Sequence, residues 1–195
     1  MLTELGPILL DTHSLGRFTD DEFYQFCLDN PDLKFERDAQ KKIIIMANTG
    51  GTTGNYNHET NLELGIWNRK NKEGMCFDSS TAFKLPNGAV RSPDSAWEKM
   101  ERWSALSEKE KEQFPPLCPD FIIEIKSPSD TPAVQKSKMN EWISNGCRLA
   151  WLINPEEELT YVYSDGKIES IPFEEKLSGK EVANGFEMKL STIFI

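Results

Sequence analysis

The sequence predicts a mixed α/β fold: a central mixed β-sheet flanked by helices, with an extra helix and strands at the N-terminal end. Three observations carry this. An apolar strand at 120–126 is followed by a helix from Thr131 to the Asn145-Gly146 stop and by a second apolar strand at 148–153. A strand–helix–strand unit of this kind pairs its strands in parallel. Short strand-like stretches at 75–78, 81–85 and 89–97 precede it, and a hairpin follows, 159–163 with 167–172 around Ser164-Asp165-Gly166; both point to antiparallel neighbours.

The remaining elements follow from local signals. Thr19-Asp20-Asp21-Glu22 has capping-box form and opens a helix that presents Phe23, Phe26 and Cys27 and ends near Asn30-Pro31. Residues 33–36 and 42–47 read as strands, the second apolar enough to be well buried. The run from Thr49 to Asn55, with three glycines, reads as a loop, and a helix is expected from Asn57 to about Lys70 with Leu62, Ile66 and Trp67 on one stripe. Residues 89–97 carry a break at Ser92-Pro93. Residues 99–114 read as a charged helix with a second capping box at Ser107 and Glu110. The helix after 120–126 begins at Ser129-Asp130-Thr131-Pro132 and buries Val134, Met139, Trp142 and Ile143. A short element at 186–195 closes the chain.

Length and composition bound the function. At 195 residues, 38% hydrophobic, the chain suits one domain over 1–195, with a core at about 18–163 and a C-terminal hairpin and tail at 159–195. No run approaches the roughly 20 apolar residues that span a bilayer. No positive region precedes Ile8-Leu9-Leu10, so no secretory signal is expected. Cys27, Cys76, Cys118 and Cys147 form no Cys-x-x-Cys pair and read as reduced thiols of a cytoplasmic protein. Two histidines exclude a histidine-rich zinc site. The net charge of −10 argues against a general nucleic-acid binder. The acidic excess lies in 1–30 and 154–187, however, and leaves 31–153 balanced.

The chemistry concentrates in Pro119-Asp120-Phe121-Ile122-Ile123-Glu124-Ile125-Lys126. Alternation along a strand points Glu124 and Lys126 one way and Ile123 and Ile125 the other. Two ionisable groups on a buried strand need partners. Glu-x-Lys also occurs at Glu174 and Glu187, but only here between bulky isoleucines. Pro-Asp occurs at Asp32, Asp94 and Asp120. If Asp94 lies beside 120–126, two carboxylates and an ammonium converge on one spot. Mg²⁺ would relieve the carboxylate repulsion, since it takes one or two protein carboxylates and fills the rest of its shell with water and phosphate. The Ile125 carbonyl is a further candidate ligand. Lys126 would orient the attacking water and offset charge on the phosphorus.

These residues, Pro93-Asp94 then Glu124-Ile125-Lys126, resemble the PD-(D/E)XK nuclease superfamily. The longer pattern resembles its Uma-type restriction-endonuclease family: Glu36, His58, Arg91-Ser92-Pro93-Asp94, Ile123 to Ser129, Lys138, Gly146 and Trp151-Leu152-Ile153-Asn154-Pro155. The resemblance covers about 18–163. It implies the restriction-endonuclease-like fold, a Mg²⁺-dependent phosphodiesterase site for which Mn²⁺ can substitute, DNA as substrate, and a homodimer. By the same resemblance Asp94, Glu124, Lys126, Glu36 and His58 are the catalytic set, with Asp94, Glu124 and the Ile125 carbonyl on the metal. The chain departs from the family pattern at Ser92, and in a long charged insert over 99–118.

Plainer readings stand beside these. Glu124 and Lys126 could form a salt bridge at a strand end, Asp94 could cap the turn after Pro93, His58 could cap its helix, and Glu36 could pair with Arg37 or Lys42. Glu63 is an alternative acid, and Lys138 an auxiliary phosphate contact or a solvated lysine. The glycines at 50, 51 and 54 lack the Gly-Lys-Ser/Thr of a nucleotide loop. The function expected first is therefore a Mg²⁺-dependent DNA endonuclease. The alternative is a weak or inactive nuclease-fold protein serving as a nucleic-acid-binding or assembly module, and a third reading is a hydrolase of RNA or a nucleotide.

Overall fold

The computed structural model describes residues 8–128 and 130–194. Ser129 and Ile195, assigned above to a helix start and to the closing element, lie outside them. In chain order the elements are β1 (Ile8–Leu10), α1 (Asp20–Asp29), β2 (Lys34–Arg37), β3 (Ile43–Met46), α2 (Gly51–Asn71), β4 (Gly74–Asp78), β5 (Phe83–Lys84), β6 (Val90–Arg91) and β7 (Ser95–Lys99). Then come α3 (Met100–Ser104), α4 (Glu108–Glu112), β8 (Phe121–Ile125), α5 (Pro132–Ser144), β9 (Leu149–Asn154) and β10 (Leu159–Ser164). The chain ends with β11 (Lys167–Pro172), β12 (Lys176–Ser178) and β13 (Glu187–Lys189). They sort into two compact units.

One unit takes Met1–Asn48, Ser80–Ser92 and Leu106–Cys118. Its sheet runs β1-β3-β2-β6-β5 and is antiparallel. The capping box is present at α1: Thr19 accepts the Glu22 N–H, and the Glu22 carboxylate accepts the Thr19 N–H. Phe23, Phe35, Ile43, Ala82 and Val90 form the core. Buried Arg37 lies over the Phe23 ring and pairs with Asp20. Hydrogen bonds from Lys84, Arg37 and Lys41 hold the Asp20 carboxyl below the usual carboxylate range, against the opposing effect of its burial.

The other unit takes Thr49–Ser79, Pro93–Ala105 and Pro119–Ile195. Its sheet runs β11-β10-β9-β8-β7-β4, with β8 and β9 parallel and every other pair antiparallel. The expected mixed sheet is therefore present. On one face Trp97, Phe121, Ile123, Ile125, Leu149, Trp151 and Ile153 pack with Leu64 and Trp67 of α2 and with Phe173, Leu177, Phe186 and Met188 from the C-terminal segment. The other face carries α5, whose Trp142 reaches Glu124. Gly74 is fixed by its strand neighbours, because a Cβ there would collide with the Glu98 carbonyl and the Trp97 ring.

Four expectations change. The Thr49–Asn55 run is not a loop: α2 starts at Gly51 with Gly50 as its N-cap. The buried stripe of α2 is Thr60, Leu64 and Trp67, not Leu62 and Ile66; the Thr60 hydroxyl is satisfied by the Tyr56 carbonyl, so a polar residue can face inward. On α5, Gln135 is buried while Val134 is 56% exposed. Residues 99–114 form two short helices, because Ser107 adopts the extended backbone of an N-cap and starts α4 afresh.

At the far end of β8, Glu98 and Asp120 are both buried and share Arg102. The Asp120 N–H donates to Glu98, and the Lys99 N–H donates to Asp120. Burial, reinforced by the Asp120 charge, pushes the Glu98 carboxyl up from 4.5 to about 8. Between those values the folded chain holds a proton that the unfolded chain has released. Stability must therefore fall as pH rises from 4.5 to about 8 and level off above. Thermal unfolding across this range should show that decline in the wild type and a flatter profile in Glu98→Gln.

Candidate active site

β7 and β8 are antiparallel, with Ser95 opposite Ile123, Ala96 opposite Ile122 and Trp97 opposite Phe121. The ladder stops at Ser95, since Pro93 has no N–H to extend it. One further step of the same register puts Asp94 level with Glu124. Where the ladder would continue, the Asp94 side chain takes over. The Lys126 N–H donates to Ile153 of β9, so by alternation the Ile125 N–H points the other way, toward β7. It donates to Asp94 Oδ2 at 2.8 Å. The Asp94 carboxylate thus sits on the peptide that joins Glu124 to Ile125. Asn57 Nδ2 donates to Asp94 Oδ1 at 2.9 Å, and Asn61 Nδ2 to the Asp94 carbonyl at 2.9 Å.

Glu124 is 4% exposed and faces α5. Lys138 Nζ lies 2.9 Å from each of its carboxylate oxygens, and Trp142 Nε1 donates to Oε1 at 2.9 Å. Lys138 and Trp142 are four residues apart, so one face of α5 supplies both donors. Glu124 is the one polar side chain of β8, and an ammonium and an indole compensate it.

Lys126 follows the end of β8 and is also buried. Its ammonium does not pair with Glu124. It donates to Glu156 Oε2 at 2.7 Å and to the Ser127 carbonyl at 3.4 Å. Glu156 sits in the turn between β9 and β10, its N–H held by Asn154 Oδ1 at 3.2 Å. The start of β7 and the ends of β8 and β9 thereby gather Asp94, Glu124, Lys126 and Glu156 at one end of the sheet.

Glu36 belongs to the five-stranded unit, where it is buried. Its Oε1 accepts the Ser92 N–H at 3.1 Å and its Oε2 accepts from Arg91 at 3.0 Å, so its partner is Arg91 rather than Arg37 or Lys42. His58 is exposed, in the second turn of α2 instead of at the helix start. Glu63 is on the same helix, nearer its middle.

Asn57, Asn61, Trp142 and Glu156 were not marked by the sequence as site residues. The i, i+4 asparagines on a helix are a signal that could have found the first two, and the Lys138/Trp142 spacing a signal for the third. Glu156 gave none. Oxygen donors from Asp94, Glu124 and the Ile125 carbonyl match the hard-ligand preference of Mg²⁺. Among the described residues no group of three or more His, Cys, Asp or Glu side chains is placed to hold a metal ion. A Mg²⁺ site needs only one or two carboxylates.

The model of the Uma2 family, described as "Putative restriction endonuclease", matches residues 20–191. No curated protein matches the chain. Among solved structures, one described as a putative nuclease belonging to DUF820 from Anabaena variabilis ATCC 29413 superposes with a TM-score of 0.73 at 20% identity. The match covers 91% of this chain and 97% of that one, and it shows a shared fold. Among the described residues no helix is long and apolar enough to cross a membrane.

Trp142→Phe keeps a ring in place but removes the N–H donated to a buried carboxylate. Urea unfolding should show a loss of about 1–3 kcal/mol. An unchanged midpoint would mean that the indole bond contributes nothing to holding Glu124.

Proposed function

The chain belongs to the Uma2 family, and on that premise we propose that it is a Mg²⁺-dependent endonuclease hydrolysing DNA phosphodiester bonds through a PD-(D/E)XK site. One observation carries the reading: the Asp94 carboxylate is bonded to the N–H of Ile125, directly beside Glu124 on a strand that Lys126 immediately follows.

In this reading Asp94, Glu124 and the Ile125 carbonyl hold the cation. Bound Mg²⁺ supplies charge neutralisation at the scissile phosphate and acidifies a water. The chain's own residues do the rest. Lys126 exchanges its contact with Glu156 for the attacking water and the phosphate oxygens, positioning the one and offsetting the charge that builds on the other. Lys138 and Trp142 keep the Glu124 carboxylate oriented, which limits the reorganisation needed on binding. His58, exposed on α2, is suited to a phosphate contact. Glu36 fixes Arg91 and Ser92, the residues that lead into Pro93-Asp94. A homodimer would present two such sites to the two strands of a duplex, and a cytoplasmic location fits the free thiols.

One feature favours the alternative of a nuclease-fold binding or assembly module. Both lysines of the site are already paired, Lys138 with Glu124 and Lys126 with Glu156. A site whose charges are balanced internally has less need of a metal ion.

Purified protein with Mg²⁺ or Mn²⁺ should nick or linearise plasmid DNA. Asp94→Ala and Lys126→Ala should each reduce the rate by about 100-fold or more while retaining the wild-type circular dichroism spectrum. If both variants cut as fast as wild type, the cleavage arises elsewhere. If wild type neither cuts nor binds Mn²⁺, the module reading takes over.

A further inference from the structure

The side-chain amide of Asn57 has its two ends in unlike surroundings. Nδ2 donates to Asp94 Oδ1 at 2.9 Å. Oδ1 is buried and has no hydrogen-bond partner among the described residues. A buried carbonyl oxygen without a donor costs stability. Turning the amide over would not help, since it would set that oxygen against a carboxylate oxygen. The amide gives up one hydrogen bond in order to keep the other. Asn61, one turn further along α2, grips the same place through the main chain, donating to the Asp94 carbonyl and to the Asn57 carbonyl, each at 2.9 Å. Of the two asparagines, Asn57 is the one bonded to the Asp94 carboxylate.

We propose that Asn57 is a positioning residue, which sets the rotation of the Asp94 carboxylate for ligating a divalent cation; this rests on the metal-site reading above. A carboxylate held at one oxygen can still swing about its terminal torsion, whose energy wells are broad. Held at both, by Asn57 Nδ2 on Oδ1 and by the Ile125 N–H on Oδ2, it cannot. The Ile125 N–H is a main-chain donor whose direction is set by the strand. The bond to Asn57 is the adjustable one, and it is made at the expense of a buried carbonyl. Partners that orient a ligating carboxylate typically contribute about 10–100-fold to metal affinity.

The test is Mn²⁺ titration by calorimetry on the full chain, with metal-free thermal unfolding measured in parallel. Asn57→Leu matches the asparagine in size while removing both the N–H and the unpartnered carbonyl. Because Asp94 is only half-buried, water can replace the lost donor at Oδ1, so the variant should unfold close to the wild-type temperature, yet bind Mn²⁺ about 10–100-fold more weakly. Asn57→Ala should show the same loss of affinity. Asn61→Leu should lower the unfolding temperature and leave the Mn²⁺ affinity within about threefold of wild type, far inside that range. Wild-type Mn²⁺ affinity in Asn57→Leu overturns the inference. So does a parallel fall of stability and affinity in both Asn57 variants, which is what a merely structural asparagine would give. Absence of binding heat from wild type at millimolar Mn²⁺ overturns the metal-site reading itself, and the inference with it.

Discussion

The hydrogen bond from the Ile125 N–H to the Asp94 carboxylate is the constraint on which the site depends. It marks the point where β7 ceases to be a ladder partner of β8. In a regular sheet that N–H would meet a main-chain carbonyl, and the residue opposite Glu124 would simply continue the strand. Here Pro93 ends the pairing, and an acidic side chain takes over the vacant acceptor role. The same bond that satisfies the Ile125 amide fixes a carboxylate at the strand position level with Glu124.

Around that bond the charges are compensated group by group. Glu124 faces Lys138 and the Trp142 indole, Lys126 faces Glu156, and Asp94 takes hydrogen bonds from the Asn57 amide and the Ile125 N–H. Buried ion pairs add little net stability, because desolvation offsets most of the attraction. What they do provide is a fixed arrangement, since removing either partner leaves a buried charge alone. The pairing of Lys126 differs from the others in being half open. Glu156 is exposed and sits in a turn, so water screens its side of the pair. The lysine proposed to meet the substrate is thus the one whose partner solvent reaches.

How far the sequence reveals this varies with the kind of force involved. β8 is legible because four bulky apolar residues surround a single acid, and the break at Ser92-Pro93 is legible because proline cannot donate. The capping boxes at Thr19 and Ser107 are local and readable too, although the second splits a helix that reads as continuous. The start of α2 is not legible. Its Gly-Gly-Thr-Thr-Gly run has poor helix propensity, and the helix there is sustained by contacts made further along. Its inward stripe is obscured because Thr60 buries a hydroxyl that bonds back to Tyr56. On α5 the apolar Val134 faces water while Gln135 turns inward, a choice that only the surrounding packing makes. Asn57 is distant in sequence from Asp94 and is hinted at only by its i, i+4 partner Asn61, while nothing in the neighbourhood of Glu156 announces its contact with Lys126.

β8 also bears on how this chain can change. Its odd positions are isoleucine and phenylalanine packed against α2 and the C-terminal segment, while Glu124 stands on the opposite side. Loss or gain of a single residue within the strand would carry Glu124 into the hydrocarbon interior and turn isoleucines toward α5. The reading frame of the strand is locked in a way that individual side chains are not. A change of length is better absorbed in the exposed stretch ahead of β8, around residues 107–112, where it leaves the strand's phase untouched.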